Sequence, residues 1–206
     1  MRTFTLFLLP LLSGCISLAS LQTPEVTDPG DIQGGIGFSY VGSRGPNADA
    51  TVRVGIVKNV DAGVRLGFNG SHQGGSYGAI LSYDLRVQLL KNPFVVTIGG
   101  AQSKFILEAI SPTGEVIYAS SLQPFILVGQ EHWYAGLRPH YTFSAGKIPQ
   151  VSKSLVIEDK TWSILSLVAG GCITTGKSNL LIELNYLRFI NGESVFVPAL
   201  GLQTTL

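Results

Sequence analysis

Charged residues are scarce in this sequence. Asp, Glu, Lys and Arg make up 13% of its 206 residues, about half the share that is usual in globular proteins. Lys and Arg total 14 and Asp and Glu total 13, which gives a formal net charge of +1 at pH 7. Because this balance provides no basic surface for a phosphate backbone, we expect no nucleic-acid partner. The 25 glycines and a mean hydropathy of +0.33 indicate a chain that keeps much apolar surface.

Long hydrophobic runs and metal-binding residues are also scarce. From Gly34 onward no apolar run approaches the length of a membrane-spanning helix. The three histidines, His72, His132 and His140, show no zinc-like spacing. We therefore predict no transmembrane helix after the N-terminus, no metal site and no cofactor.

The N-terminus has the pattern of an export signal. Arg2 is a minimal basic region, and Thr3 to Leu12 is an apolar stretch too short to span a membrane. The four residues that close it, Leu12-Ser13-Gly14-Cys15, resemble the lipobox of bacterial lipoproteins. This resemblance implies that Cys15 is diacylglycerated, that residues 1–14 are removed and that the new amine is acylated. Ile16 stands where an Asp would imply retention in the inner membrane, so sorting to the outer membrane is implied.

These features divide the chain into three parts. Residues 1–14 form the signal peptide, and residues 15–33 form the lipidated N-terminus and a tether rich in Pro, Asp, Thr and Ser. Residues 34–206 form the folded domain. With Cys15 used for lipid, Cys172 has no partner, which excludes a disulfide framework.

The folded domain alternates apolar and polar residues with a period of two. From Tyr77 to Leu89, every second residue from Tyr77 is apolar or aromatic, and most residues between them are polar or glycine. In a β-strand these two sets lie on opposite faces. Similar segments occur throughout and predict ten strands, at 34–42, 49–57, 61–69, 77–89, 93–103, 121–129, 133–144, 160–173, 179–190 and 195–205.

Short connections follow the even-numbered strands, whereas the two longest connections, 104–120 and 145–159, lie at the opposite end. The domain thus resembles small bacterial outer-membrane barrels, which implies an all-β, antiparallel, up-and-down barrel with short periplasmic turns. Both termini would then be periplasmic. Pro124, Pro139 and Pro198 fall inside predicted strands, which is unfavourable in a closed sheet and leaves open a lipid-tethered soluble barrel.

Six charged residues fall on the polar face of their strands and predict a charge cluster in the lumen. We interpret it as structural pairing, with a selectivity lining for an anionic solute as the alternative. The residues are Arg53, Arg65, Asp84, Arg86, Arg138 and Glu183.

Two further patterns could carry chemistry. The string Gly171 to Ser178 matches the phosphate-binding loop pattern, but only 28 residues remain after Ser178, too few for a nucleotide-binding domain. We interpret the string as a turn and expect no nucleotide. His140 could pair with Ser82 or Ser166 in a hydrolase-like arrangement, but no local motif supports this. We therefore predict no catalytic residues.

Taken together, the sequence predicts an outer-membrane barrel lipoprotein that is not an enzyme and has a structural, surface-contact or narrow transport role. Its predicted partner is membrane lipid, bound through Cys15 and the barrel exterior, and no protein partner is identified. The alternatives are a tethered soluble barrel that binds a small or lipidic ligand, and a membrane enzyme that acts on lipid or peptide.

Overall fold

The computed structural model describes residues 21–40, 45–70, 77–108, 116–148, 161–189 and 192–206. Ten antiparallel strands close into one barrel, which confirms the predicted fold class. The strands are β1 (Ile32–Tyr40), β2 (Pro46–Val57), β3 (Val60–Gly70), β4 (Tyr77–Leu90), β5 (Val95–Glu108), β6 (Val116–Gln130), β7 (Trp133–Ile148), β8 (Thr161–Thr175), β9 (Ser178–Phe189) and β10 (Ser194–Thr205).

Each strand pairs with its neighbours in sequence, and β1 pairs with β10 from Gln33↔Thr205 to Ser39↔Ala199 to close the sheet. The short connections after β2, β4, β6 and β8 lie at one end of the barrel, which we call the turn end. The opposite end is the loop end. The N-terminus of β1 and the C-terminus of β10 both lie at the turn end, as predicted for the two ends of the sheet.

The strands β5, β6 and β7 extend further toward the loop end than predicted. β5 reaches Glu108, β6 begins at Val116 and β7 reaches Ile148. Residues 104–108, 116–120 and 145–148, which were predicted to belong to long loops, are therefore strand. The remaining parts of those loops lie outside the described residues, as do Cys15 and the rest of residues 1–20.

The burial pattern of the barrel is inverted relative to a water-soluble protein. Outward side chains are large and apolar, and Phe196 is 61% exposed, whereas inward side chains are largely polar, and Arg86 is 1% exposed. An apolar exterior around a polar interior is the arrangement of a barrel that faces lipid. In the part of the chain that the structure describes, no helix is long and apolar enough to cross a membrane.

The prolines that argued against a closed sheet fall at gaps in the hydrogen-bonded ladder. Between β6 and β7 the paired residues pass from Leu122↔Tyr141 directly to Ile126↔Leu137. Continuing this register places Pro124 opposite Pro139, so both missing N–H donors share one gap. The ladder between β1 and β10 ends at Ala199, next to Pro198. The barrel accommodates three prolines by concentrating the lost hydrogen bonds at two places.

Candidate functional site in the barrel lumen

Residues 21–28, which we call the luminal segment, lie inside the barrel rather than outside it. Near the turn end, the backbone N–H of Thr27 donates to Asp61 at 2.8 Å and that of Val26 to Gln88 at 3.3 Å. Further in, the N–H of Leu21 donates to Glu183 at 2.8 Å. Residues 21–33 were predicted as part of a tether, but they are held by the barrel up to the start of β1 at Ile32.

Two inward-facing glycines make room for the luminal segment. A Cβ atom at Gly55 would lie 1.9 Å from the backbone oxygen of Asp28, and one at Gly37 would lie 2.1 Å from Cδ1 of Leu21. Any larger residue at either position would collide with the segment. The Leu21 side chain packs with buried inward residues of β7, β8, β9 and β10: Tyr134, Val168, Cys172, Leu181 and Ala199.

A compact group of charges lies between the luminal segment and the wall formed by β2, β3 and β4. Asp61 is at its centre: it accepts from Arg53 Nη1 at 2.5 Å and from Arg86 Nη2 at 2.5 Å. Arg53 also donates to Asp84. All four side chains are at most 6% exposed. Because both carboxylates are paired with guanidinium groups, the burial of these charges is compensated.

Arg86 joins this charge group to the luminal segment. Its Nε donates to Asp61 at 2.9 Å, while Nη1 donates to the backbone oxygen of Thr23 at 2.6 Å and Nη2 to that of Glu25 at 3.1 Å. Thr97 donates to the backbone oxygen of Pro24. Three consecutive backbone carbonyls thus receive hydrogen bonds from barrel side chains, which fixes the path of the segment.

Glu183 is the second anchor of the luminal segment. It accepts from the Tyr134 hydroxyl at 2.9 Å and from Asn185 Nδ2 at 2.8 Å, in addition to the N–H of Leu21. Gln203 donates to the backbone oxygen of Leu21 at 2.7 Å. The backbone of Leu21 has a φ of 42°, a left-handed conformation that costs roughly 1–2 kcal/mol and that these contacts stabilise.

Arg138 and Arg65 are the remaining residues of the predicted cluster. Arg138 donates from Nη2 to Gln22 at 3.5 Å, and its guanidinium carbon lies 5.0 Å from the centre of the Phe125 ring. Arg65 is 5% exposed and faces inward from β3. The structure therefore places all six predicted side chains on the inner face, and Arg53, Asp84 and Arg86 belong to the central group around Asp61.

The residues considered for hydrolase-like chemistry, His140, Ser82 and Ser166, also face inward. Ser82 shares a hydrogen bond of 2.7 Å with Ser103, within a polar group that includes Gln123. Ser166 lies on β8 opposite Arg138 in the ladder. His140 is 1% exposed. Ser82 is thus committed to a hydrogen bond with Ser103, which is unlike an activated nucleophile.

The string that resembles a phosphate-binding loop forms a hairpin. β8 ends at Thr175, residues 176 and 177 turn, and Ser178 of β9 pairs with Thr175. Gly176 has a φ of 61°, which a tight turn requires. Cys172, the second residue of the string, is buried, and its sulfur lies 3.8 Å from the hydroxyl oxygen of Thr174.

Sequence reasoning missed Asp61 and the luminal segment. Asp61 was placed at the very edge of the third predicted strand, although it has the same parity as Arg65 and so faces inward. The luminal segment has no period because its contacts are made mainly through backbone atoms, which any sequence supplies.

Comparison with known proteins gives similarity of fold only. No family model and no curated protein matches the chain. Among solved structures, the outer membrane protease OmpT from Escherichia coli is 12% identical, with a TM-score of 0.48, and the match covers 91% of this chain and 100% of that one. The N-terminal β-barrel domain of Pseudomonas aeruginosa OprF is 8% identical, with a TM-score of 0.46 and coverage of 87% and 100%. An outer membrane channel from Pseudomonas putida F1 is 8% identical, with a TM-score of 0.47 and coverage of 88% and 97%.

These comparisons correct one prediction. The expectation that the chain is not an enzyme is wrong as an inference from its barrel architecture, because a protease is among the barrels that it is similar to. Function depends on the residues of a site and not on the fold, so the barrel by itself does not decide whether the protein is an enzyme.

Proposed function

We propose that this protein is an outer-membrane barrel that acts as a sealed scaffold, anchored by lipid on Cys15, and that contacts other molecules at its loop end. The observation that carries the proposal is the occupied lumen: the luminal segment and the buried Arg53, Asp61 and Arg86 occupy the side of the turn half next to β2, β3 and β4, and Leu21 packs against inward residues of β7 to β10. A ten-stranded barrel is close to the size that side chains can fill.

The exterior supports insertion into a bilayer. Exposed aromatic residues lie near both ends of the barrel: Tyr40, Phe68 and Phe196 near the loop end, and Phe94 and Trp133 near the turn end. Phe94 and Trp133 contact each other edge to face, with ring centroids 6.2 Å apart. Aromatic girdles of this kind mark the two interfaces of a membrane barrel. Three further aromatic residues of these strands, Tyr77, Phe143 and Trp162, have side chains outside the described set.

Ion conductance in a planar bilayer tests the seal. We expect the full-length protein to insert without steady ion conductance. Gly37→Val should disturb the position of Leu21 and produce leak currents, whereas Gly34→Val, where an added Cβ meets nothing within 4 Å, should not. Steady conductance by the unaltered protein would refute the sealed scaffold and favour a narrow transport role.

Gel mobility tests insertion independently of the seal. Membrane barrels extracted in detergent migrate compactly until they are boiled. We expect a shift in mobility on boiling, with the unboiled protein recovered from outer membranes. Identical migration before and after boiling, together with recovery from the soluble fraction after removal of the lipid anchor, would favour the tethered soluble barrel.

A further inference from the structure

We propose that the outer wall of the barrel carries a docking site for one phosphate-bearing membrane lipid. An acyl chain of the lipid lies in a groove over β5, and its phosphate binds Lys104. The docking site depends on the proposed insertion of the barrel into a bilayer. It is carried by the order of residues along the outward face of β5.

An open groove of about 840 Å³ lies on the exterior, where β2 to β6 run side by side. Its floor is Gly100, at which an added Cβ atom would meet nothing within 4 Å. Gly100 pairs with Leu85 of β4 and with Pro124 of β6. Because the neighbouring outward side chains stand above a glycine, the wall is concave at this point and has room for a flexible apolar chain.

The walls of the groove are apolar. Five strands contribute outward residues that are between 40% and 55% exposed: Val52, Val54, Val64, Leu85, Ile98 and Leu122. In a bilayer such a groove alone does not select a ligand, because the surrounding lipid tails are equally apolar. Selection must come from polar groups next to the groove.

Gln102 is the first such polar group, two positions beyond Gly100 on the outward face. Its Oε1 accepts a hydrogen bond from the Tyr83 hydroxyl at 2.5 Å. In the part of the chain that the structure describes, no acceptor takes a hydrogen bond from its Nε2. A donor that faces hydrocarbon without an acceptor costs free energy. The carbonyl that links an acyl chain to its headgroup is an acceptor that can satisfy it.

Lys104 is the second polar group and the next outward residue toward the loop end. It is exposed, and it follows the exposed Phe94 of the turn-side girdle by ten positions. Ten residues rise about 25 Å along the axis of a tilted barrel, which is the height of the apolar band of a membrane barrel. Lys104 therefore lies at the loop-side edge of the band, at the level of lipid headgroups.

The row along β5 has the polarity order of a lipid. Ile98 and Gly100 offer an apolar floor, Gln102 a donor and Lys104 a cation, at a spacing of about 7 Å. A membrane lipid presents an acyl chain, a carbonyl and a phosphate in the same order.

Charge favours a lipid over a second copy of the chain as the occupant of the groove. A copy related by a two-fold axis through the groove would bring two Lys104 side chains to the same level on facing surfaces, where they would repel each other. An anionic phosphate complements Lys104 instead.

Native mass spectrometry of the full-length protein, released from vesicles, tests the docking site. The vesicles contain equal amounts of phosphatidylglycerol, whose headgroup is anionic, and phosphatidylcholine, whose headgroup is zwitterionic, with identical acyl chains. We expect one retained lipid per chain. We also expect a preference of about fivefold for phosphatidylglycerol, the upper value for an exposed ion pair.

Matched variants separate the three parts of the docking site. Lys104→Gln should abolish the preference, whereas Lys177→Gln, at an exposed lysine of the turn end, should leave it unchanged. Gly100→Leu fills the groove and should lower retention of both lipids about tenfold. Gly34→Leu, at another glycine with open space, should not. Gln102→Leu should lower retention of both lipids about fivefold, as expected for the loss of one hydrogen bond.

Four results would overturn the proposal. They are the absence of retained lipid, an equal preference in Lys104→Gln and Lys177→Gln, equal retention in Gly100→Leu and Gly34→Leu, and release of a dimer of the chain without lipid. The last result would assign the groove to a second copy. Lys104→Gln changes only an exposed side chain, so it decides the question even where Gly100→Leu fails to fold.

The mobility shift on boiling separates this proposal from the proposed function. Each variant must show the shift to count as folded. An unaltered protein that does not shift contradicts insertion into the bilayer, whereas a protein that shifts but retains no lipid contradicts the docking site alone.

Discussion

Replacement of Arg86 is the sharpest test of the lumen as the structure describes it. Arg86 is 1% exposed and makes hydrogen bonds to both oxygens of Asp61 and to the backbone oxygens of Thr23 and Glu25. Arg86→Ala removes all of them and leaves Asp61 paired with Arg53 alone. Removing one partner of a buried ion pair costs about 3–5 kcal/mol. We expect the free energy of unfolding to fall by that amount, measured by urea titration of the protein folded into lipid vesicles.

Two further variants separate this mechanism from a general effect of losing an arginine. Arg86→Lys keeps the charge but loses the paired geometry of the guanidinium, so we expect an intermediate loss of about 1–3 kcal/mol. Arg188→Ala removes an exposed arginine from β9 and should change stability by less than about 0.5 kcal/mol. A loss below about 1 kcal/mol for Arg86→Ala, or equal losses for Arg86→Ala and Arg188→Ala, would refute the described contacts.

The other predictions concern the exterior and the second anchor. Leu184→Arg places a charge on the outward face near the middle of β9, where Leu184 is 46% exposed, and should lower the free energy of unfolding in vesicles by about 2–4 kcal/mol. Val57→Arg, at the turn end, should lower it by about 0–1 kcal/mol. Equal losses for the two variants would contradict a lipid-facing exterior. Tyr134→Phe removes the hydrogen bond to Glu183 and should lower the free energy of unfolding, measured by the same urea titration, by about 1.5–3 kcal/mol. Tyr83→Phe removes an exposed hydroxyl and should lower the free energy of unfolding by less. Gly37→Val should increase proteolysis within the luminal segment more than Gly34→Val does, because only the side chain added at position 37 would collide with Leu21. Cleavage sites are identified by mass spectrometry, and equal cleavage in the two variants would contradict the position of Leu21 against Gly37.

The barrel walls could be predicted from sequence because each strand carries its own period. Alternation alone separates inward Arg86 from outward Leu85, and it does so without knowledge of the neighbouring strands. The same parity placed six charges on the inner face. Which of these charged side chains contact one another depends on the register between neighbouring strands. That register is not encoded in the sequence of any one strand. Asp61 pairs with Arg86 across the ladder between β3 and β4, and that register follows from the closure of the whole barrel.

The luminal segment could not be predicted for a different physical reason. Its partners lie as far as 182 residues away, as with Leu21 and Gln203. The barrel binds the segment largely through backbone N–H and C=O groups, which every residue other than proline supplies. The glycines at positions 37 and 55 carry the matching information, since they leave space on the inner face, but glycine is too frequent in this chain for two positions to stand out.

The contacts of Arg86 imply that the luminal segment belongs to the core of the barrel. A guanidinium carries five N–H donors, and the carboxylates of Asp61 and Asp84 do not supply enough acceptors to satisfy the two buried arginines, Arg53 and Arg86. The backbone oxygens of Thr23 and Glu25 accept from Arg86 and complete the set. Expelling the segment would therefore leave buried donors without acceptors, at about 1–3 kcal/mol for each lost partner. It follows that the wall and the segment stabilise each other, so a variant that displaces the segment should weaken the barrel even though every strand remains intact.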